Sequence, residues 1–253
     1  MLSVVSIIFG AMIGSFLNVC IIRLPKEESI VTPGSHCPHC GTPIQFYDNI
    51  PLISYIFLQG RCRHCHRGIS FQYPLVEGIT ALSSFILFMK FGASLSYLFY
   101  FSFVAALIVI TVIDLYHQII PDVISIPGIG VGVLTSLITP QTTLFNSLIG
   151  ILLGGGSLFF VATVYQWIFK REGMGGGDVK LLAMIGGFLG WKAVIVTVLL
   201  GSLVGSITGI IVMTLKKKDF KYAIPFGPFL ALGAVISLFY GEGLIRWYLH
   251  LNR

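Results

Sequence analysis

Long apolar stretches alternate with short polar ones along most of the chain. Reading each apolar run as a helix predicts eight helices, at residues 4–22, 75–89, 95–113, 123–139, 144–169, 179–191, 193–214 and 226–241. Most of these runs reach or approach the roughly 20 residues that a membrane-spanning helix needs. The second and the sixth are the shortest. The pattern therefore predicts an all-α polytopic membrane protein with about eight transmembrane helices.

One long polar segment interrupts this pattern. Residues 23–74 hold five basic residues, several prolines and four of the five cysteines. The segment is too polar to cross a membrane and reads as a small domain inserted between the first two spans. The predicted organisation is a first transmembrane helix (1–22), a polar four-cysteine domain (23–74) and a transmembrane core (75–253).

The composition supports a membrane protein, and the distribution of charge predicts its orientation in the membrane. Of the 253 residues, 55% are hydrophobic and 10% are charged, against roughly 25% charged in soluble chains. If the spans alternate and 23–74 faces the cytoplasm, twelve of the sixteen Lys and Arg residues face it too, as the positive-inside rule expects. We interpret the net charge of +6 as topology signals and contacts with anionic lipid. No nucleic-acid partner and no particular oligomeric state are predicted.

Two CxxC pairs predict a metal site. They are Cys37-Pro-His-Cys40 and Cys62-Arg-His-Cys65, a pattern that suits structural Zn²⁺ held by four thiolates. Two disulfides are the alternative, which a reducing cytoplasm disfavours. Nearby histidines could replace a ligand; they are His36, His39, His64 and His66. Four thiolates leave no open coordination position, so the metal is expected to be structural rather than catalytic.

Two aspartates are the candidate catalytic residues. Asp178 follows the glycines of GMGGGDVK (173–180), and Asp114 closes the apolar run 104–114. An ionisable residue in such a position is a functional hypothesis by default. Two carboxyl groups brought close share one proton, which suits peptide hydrolysis by an activated water. Three glycines would let a substrate backbone approach; they are Gly175, Gly176 and Gly177.

Other interpretations of these acidic residues stay open. Asp178 could simply cap a helix, because Asp is a favoured N-cap residue. Asp114 is harder to explain in this way, because a negative charge is disfavoured at a helix C-terminus. Asp122 is a third candidate, but Pro121-Asp122 reads as a turn that opens the next span.

Motifs in order along nearly the whole chain resemble one known family. They are GSFLNVCIIRLP (14–25), CPHC, NIPLISY (49–55), GRCRHC (60–65), ISFQYPLVEG (69–78), IDLYHQIIPD (113–122), GMGGGDVKLLA (173–183) and IPFGPFLALG (224–233). Together they resemble the type IV prepilin peptidases, bacterial membrane enzymes grouped with the GxGD aspartyl proteases. In this comparison the GxGD motif is Gly175 to Asp178.

The resemblance implies a function and its residues. It implies that Asp114 and Asp178 cleave the leader from prepilins or pseudopilins at the cytoplasmic face of the bacterial inner membrane. Many members then methylate the new N-terminus with S-adenosylmethionine, and the presence of all four cysteines favours this bifunctional type. Glu77, Asp48 and Asn49 fall in matching segments, but we interpret them as loop and capping residues.

Two other classes of protein fit part of the pattern. A proton- or metal-coupled transporter with a zinc-bearing cytoplasmic loop would also have intramembrane carboxylates and a helix broken by glycines. It would place ionisable groups at the bilayer midplane, whereas here both aspartates end spans on one face. A zinc-bearing assembly scaffold without catalysis would tolerate Asn in place of both aspartates.

Overall fold

The fold was analysed in a computed structural model, which describes residues 1–170, 175–216 and 225–251. Several residues used in the sequence analysis lie outside the described residues. They are Arg171, Gly173, Met174, Lys217, Lys218, Lys221, Ile224 and Arg253.

Nine α-helices account for most of the described residues. They are α1 (Leu2–Arg23), α2 (Ile53–Phe57), α3 (Gln72–Phe91), α4 (Leu95–His117), α5 (Asp122–Ile138), α6 (Leu144–Phe169), α7 (Gly176–Leu189), α8 (Trp191–Lys216) and α9 (Gly227–Leu251). Two short 3₁₀ turns, Leu24–Lys26 and Phe46–Asn49, complete the elements. No β-strand occurs in the described ranges. The predicted all-α fold is confirmed, and each predicted apolar run corresponds to one of the eight long helices. The runs 123–139, 179–191 and 226–241 extend one or two residues past their helices.

Six of these helices are long and apolar enough to cross a membrane: α1, α3, α4, α6, α8 and α9. The predicted weak second span is α3, which has 20 residues and meets this criterion. Two helices are shorter, α5 with 17 residues and α7 with 14. At 1.5 Å per residue α7 is about 21 Å long, less than the roughly 30 Å hydrocarbon core. Eight crossings therefore stay a prediction.

The chain forms two compact units, residues 1–109 and 110–253. In the first unit α1 packs against α3. A Cβ on Gly10 would lie 2.8 Å from Ala81 Cα, and one on Gly14 would lie 2.7 Å from Glu77 Cα. Gly10 and Gly14, which stand at small-xxx-small spacing, therefore let the helix backbones approach closely.

In the second unit α7 is the central helix and contacts α5, α6, α8 and α9. Every residue from Leu181 to Phe188 is buried. Glycines allow this close enclosure, since a Cβ on Gly132 of α5 would lie 2.7 Å from Gly187 C, and one on Gly154 of α6 would lie 2.5 Å from Leu182 O. Because protein encloses α7, its backbone need not extend across the lipid.

Candidate active site and metal site

Asp114 lies in the last turn of α4, which continues to His117, a few residues past the predicted end. Its side chain is only 5% exposed. The N–H of Gly227, the first residue of α9, donates a hydrogen bond of 2.9 Å to Asp114 Oδ2. A helix N-terminus presents free N–H groups and a partial positive charge. The partner that a buried carboxylate needs is therefore the start of α9.

Asp178 is the third residue of α7, and the N-cap position belongs to Gly175. Among the described residues no side chain caps this helix, and the interpretation of Asp178 as an N-cap residue is wrong because that position belongs to Gly175. The carboxyl group still lies in the first turn, where the helix dipole favours negative charge. Asp114 and Asp178 are thus each placed at a helix N-terminus, that of α9 and that of α7.

Ile120 connects the surroundings of the two aspartates. A Cβ on Gly177 would lie 2.8 Å from Ile120 Cβ, and one on Gly227 would lie 3.4 Å from Ile120 Cδ1. One side chain therefore packs against the neighbour of Asp178 and against the hydrogen-bond donor to Asp114. The carboxyl groups of Asp114 and Asp178 also interact electrostatically. The fold brings these two predicted residues into one site.

The glycines before Asp178 differ in their surroundings. Gly175 and Gly176 are exposed. Among the described residues, a Cβ on Gly176 would meet nothing within 4 Å, and one on Gly175 would meet only Gly177 N, at 4.0 Å. Gly177 is enclosed by Ile120 instead. Within the described part of the chain there is therefore open space beside Gly175 and Gly176, directly before the aspartate.

Asp122, the third candidate, has a different partner. Both of its carboxylate oxygens accept hydrogen bonds of 2.7 Å from Lys180 Nζ. Asp122 is the first residue of α5, and Lys180 lies on α7 two residues after Asp178. Both side chains are partly exposed, 56% for Asp122 and 38% for Lys180. This ion pair joins the N-terminal turns of α5 and α7.

Four of the cysteines lie in two loops that share the same pattern of backbone hydrogen bonds. In the first loop Cys37 N–H donates to Thr42 O and Gly41 N–H donates to Cys37 O. The second loop repeats both bonds, from Cys62 N–H to Arg67 O and from His66 N–H to Cys62 O. Gly41 and His66 take positive φ angles of 69° and 54°. Each loop therefore turns back after its second cysteine and directs both thiols to one side.

The four thiols form one cluster able to hold a metal ion. The Sγ atoms of Cys37, Cys40, Cys62 and Cys65 all lie within 4.8 Å of one another. The Sγ atoms of Cys37 and Cys65 are 3.8 Å apart, which matches the edge of about 3.8 Å expected for a tetrahedron with metal–sulfur bonds of about 2.3 Å. All five cysteines are free, so the alternative of two disulfides is wrong for this structure. No histidine belongs to the cluster within the described ranges.

Side chains around the cluster stabilise its loops. A hydrogen bond with Thr42 lowers the pKa of the Cys40 thiol to about 6, toward the thiolate form that binds metals. Arg63, inside the second CxxC pair, donates to both oxygens of Asp48 at 2.6 and 2.8 Å. This guanidinium holds the pKa of the Asp48 carboxyl below its ordinary value. Asp48 thus ties the 3₁₀ turn at Phe46–Asn49 to the second cysteine loop.

Sequence reasoning missed Gly227 and Ile120. Gly227 falls in IPFGPFLALG, which the resemblance marked without giving this residue a role. The signal available was Gly227-Pro228, because Pro favours the first turn of a helix. Ile120 offered no signal, since its contacts depend on how α4, α7 and α9 come together.

Fold and site together define a polytopic helical membrane protein with two interacting carboxyl groups, one of them buried, in one unit and a thiol cluster in the other. Two family models match the chain. "Bacterial Peptidase A24 N-terminal domain" matches residues 8–91, and "Type IV leader peptidase family" matches residues 101–210. The first match covers the cysteine loops, and the second covers both aspartates.

Relatives named "Prepilin leader peptidase/N-methyltransferase" match over almost the whole chain. The one from Aeromonas salmonicida strain A449 is 38% identical over 271 residues, covering 96% of this chain and 92% of the relative. The one from Pseudomonas aeruginosa is 36% identical, with 96% and 92% coverage. The one from Stutzerimonas stutzeri is 33% identical, with 98% and 94% coverage. No solved structure matches the chain.

The chain belongs to the type IV leader peptidase family. Family membership and six apolar helices make it a bacterial inner-membrane protein. The interpretation as a transporter finds no support in these matches.

Proposed function

We propose that this protein removes the leader peptide from type IV prepilins or pseudopilins and then methylates the new N-terminus. One observation carries the peptidase assignment: Asp114 and Asp178 interact at the N-termini of α9 and α7. The names of the relatives support both the substrate and the second activity.

The geometry supports unequal roles for the two carboxyl groups. The Gly227 N–H hydrogen bond stabilises negative charge on Asp114. In our proposal Asp114 is therefore the ionised member that takes a proton from the attacking water. Asp178, which is more exposed, carries the shared proton and gives it to the peptide carbonyl oxygen. When the C–N bond breaks, the proton now on Asp114 passes to the leaving amine, and a hydroxyl proton of the tetrahedral intermediate returns to Asp178.

The surroundings of the aspartates fit an extended substrate that continues into a membrane helix. The open space beside Gly175 and Gly176 would admit the peptide backbone at the scissile bond. A prepilin continues after this bond as an apolar helix, which can lie in the bilayer beside the apolar spans of this protein. The charge count favours the cytoplasmic side for both the aspartates and the cysteine loops.

Two further groups belong to the proposed function. Four clustered thiols suit Zn²⁺, held by Cys37, Cys40, Cys62 and Cys65. Zinc there would stabilise loops that lack a core of their own. S-adenosylmethionine would supply the methyl group. The cavity of the first unit, with a volume of about 1090 Å³, is large enough for a ligand of that class.

The test is leader cleavage by the purified chain in detergent, comparing the parent with Asp114→Asn and Asp178→Asn. Each single substitution should reduce cleavage by at least about 10²-fold, because removal of a general acid or base costs 10²- to 10⁴-fold. Glu242→Gln serves as the control, because Glu242 is exposed on α9 and pairs with Arg246 of the same helix. Thermal unfolding in detergent would show whether each variant is folded.

Each outcome has a clear meaning. Undiminished cleavage by both Asn variants would rule out the proposed mechanism, because other groups would then have to perform the hydrolysis. Loss in only one variant would mean that the other aspartate has a structural role. Transfer of a methyl group from S-adenosylmethionine to the cleaved product, read by mass spectrometry, tests the second activity independently.

A further inference from the structure

The first unit contains a cavity that the peptidase mechanism does not use. Its volume is about 1090 Å³. Residues of α1, α3 and the segment between them line it, among them Ser15, Asn18, Leu52 and Glu77. Four of its polar residues are more than nine-tenths buried: Asn18, Arg23, Ser54 and Glu77. Asn18 is 1% exposed and Glu77 is 8% exposed.

Asn18 has an unpartnered acceptor. Its Nδ2 donates to Gly14 O at 3.3 Å and to Tyr73 O at 3.1 Å. Because both partners are carbonyl oxygens, the amide nitrogen must face them, and this fixes the orientation of the side chain. Its Oδ1 is buried and accepts no hydrogen bond from the described residues. A buried acceptor without a donor costs about 1–3 kcal/mol, so this atom suits a ligand donor.

Glu77 brings an unbalanced negative charge to the same place. The N–H of Leu52 donates to Glu77 Oε2 at 2.8 Å, and Ser15 also interacts with this carboxyl group. Across the described residues, no Lys, Arg or His lies within ion-pair distance of Glu77. Buried charges in proteins are normally paired. The carboxylate therefore suits a cationic ligand.

The two groups meet where α1 crosses α3. Gly14 packs against the backbone of Glu77, and Asn18 binds the carbonyl of Gly14. Two other charged groups of the cavity are already engaged. Arg63 pairs with Asp48, and Arg23 donates to three backbone carbonyls.

We propose that this cavity binds a protonated primary amine, with Asn18 Oδ1 accepting a hydrogen bond from it and the Glu77 carboxylate balancing its charge. An ammonium group has several N–H donors and one positive charge, which matches one free acceptor and one unpaired carboxylate. The inference rests on the proposed methyl transfer, in which both substrates carry such a group. One is the methionine end of the methyl donor, and the other is the new N-terminus of the pilin.

The experiment measures binding to the full-length protein in detergent by calorimetry, with two ligand pairs. The first pair is S-adenosylhomocysteine and its deamino analogue, which keeps the carboxylate. The second pair is a peptide of the mature pilin N-terminus, with a free or an acetylated amine. The variants are Glu77→Gln, which keeps an acceptor for Leu52 N–H, and Asn18→Leu. Glu27→Gln is the matched control, because Glu27 is exposed and does not line the cavity.

Glu77→Gln should weaken binding of the amine-bearing member of one pair by at least about tenfold. Binding of its amine-free partner should change by less than about twofold. The pair that shows this selectivity identifies the source of the amine. Asn18→Leu should weaken binding of the same amine-bearing ligand and leave binding of its amine-free partner nearly unchanged. If Asn18→Leu does not fold, the result for Glu77→Gln alone tests the proposal.

Equal effects on both members of each pair would overturn the proposal, as would parent-like binding by Glu77→Gln or no binding by the parent. Leader cleavage and methyl incorporation by the parent are measured on the same preparation. If the parent methylates but Glu77→Gln does not selectively weaken binding of an amine-bearing ligand, this binding site is refuted and the methyl transfer is not. A parent that does not methylate refutes the methyl transfer, while the peptide pair still tests the cavity.

Discussion

The thiol cluster joins residues that are close in sequence, whereas the aspartate site joins residues that are far apart in sequence. Cys37 and Cys65 are separated by 28 positions, and each loop is fixed by its own backbone hydrogen bonds. Asp114 and its donor Gly227 are separated by 113 positions. The first site is thus encoded locally, whereas the second depends on how α4, α7 and α9 pack.

This difference predicts what damages each site. A local metal site fails when a ligand is lost, because the loops around it have little core of their own. A site built from packed helices fails when the helices shift by fractions of an ångström, since catalysis depends on geometry at that scale. Substitutions in one unit can therefore be used to test the independence of the other.

The largest expected effect is metal loss from the cysteine loops. Cys62→Ser should abolish zinc binding and expose the segment between Cys37 and Cys65 to proteolysis, because structural zinc contributes on the order of 10 kcal/mol to folding of such loops. Zinc content by elemental analysis and limited proteolysis measure both effects.

Cys20→Ser is the matched control for metal loss. Cys20 is the fifth cysteine, buried in α1 and outside the cluster, so its replacement should leave the zinc content unchanged. Equal zinc in the parent and in Cys62→Ser would contradict a four-thiolate site.

The next effect concerns the hydrogen bond to Asp114. A Cβ on Gly227 would lie 2.6 Å from Asp114 Oδ2, so Gly227→Ala must displace the carboxylate or the start of α9. Leader cleavage should fall by about 10²-fold, the cost of misplacing a catalytic group by about 1 Å.

Gly243→Ala provides the comparison on the same helix. A Cβ on Gly243 would meet nothing within 4 Å, so cleavage should stay at the parent level. If Gly227→Ala cleaves as fast as Gly243→Ala, then the contact between α9 and Asp114 has no part in catalysis.

These contrasts also show what could be predicted from the sequence. The spacing of Cys37, Cys40, Cys62 and Cys65 was sufficient to predict the cluster, because ligand spacing in such loops sets the geometry. Hydrophobic runs were sufficient to predict the eight long helices. Asp114 and Asp178 could be named, but the role of Gly227 could not, because it is a contact between distant helices. The short length of α7 could be read from the sequence, but its enclosure by four helices could not.

A smaller effect is expected at the contact between α5 and α7. Gly132→Ala places a Cβ 2.7 Å from Gly187 C and should lower the free energy of unfolding by about 1–3 kcal/mol, the usual cost of overpacking. Gly130 lies two residues earlier on α5, and a Cβ there would meet nothing within 4 Å. Gly130→Ala should therefore be neutral or slightly stabilising. Thermal unfolding in detergent compares the two, and equal destabilisation would mean that α5 does not pack on α7 through Gly132.

The smallest effect is expected at the ion pair between Asp122 and Lys180. Both side chains are partly exposed, and pairs of this kind contribute at most about 1 kcal/mol to stability. Asp122→Asn should therefore lower the free energy of unfolding by no more than that and keep leader cleavage within about threefold of the parent, since the contacts of Asp114 do not involve it. Lys180→Gln removes the same pair from the other side and should behave alike. If Asp122→Asn abolished cleavage while Lys180→Gln did not, Asp122 would act through its own carboxylate, and the catalytic pair would have to be reassigned.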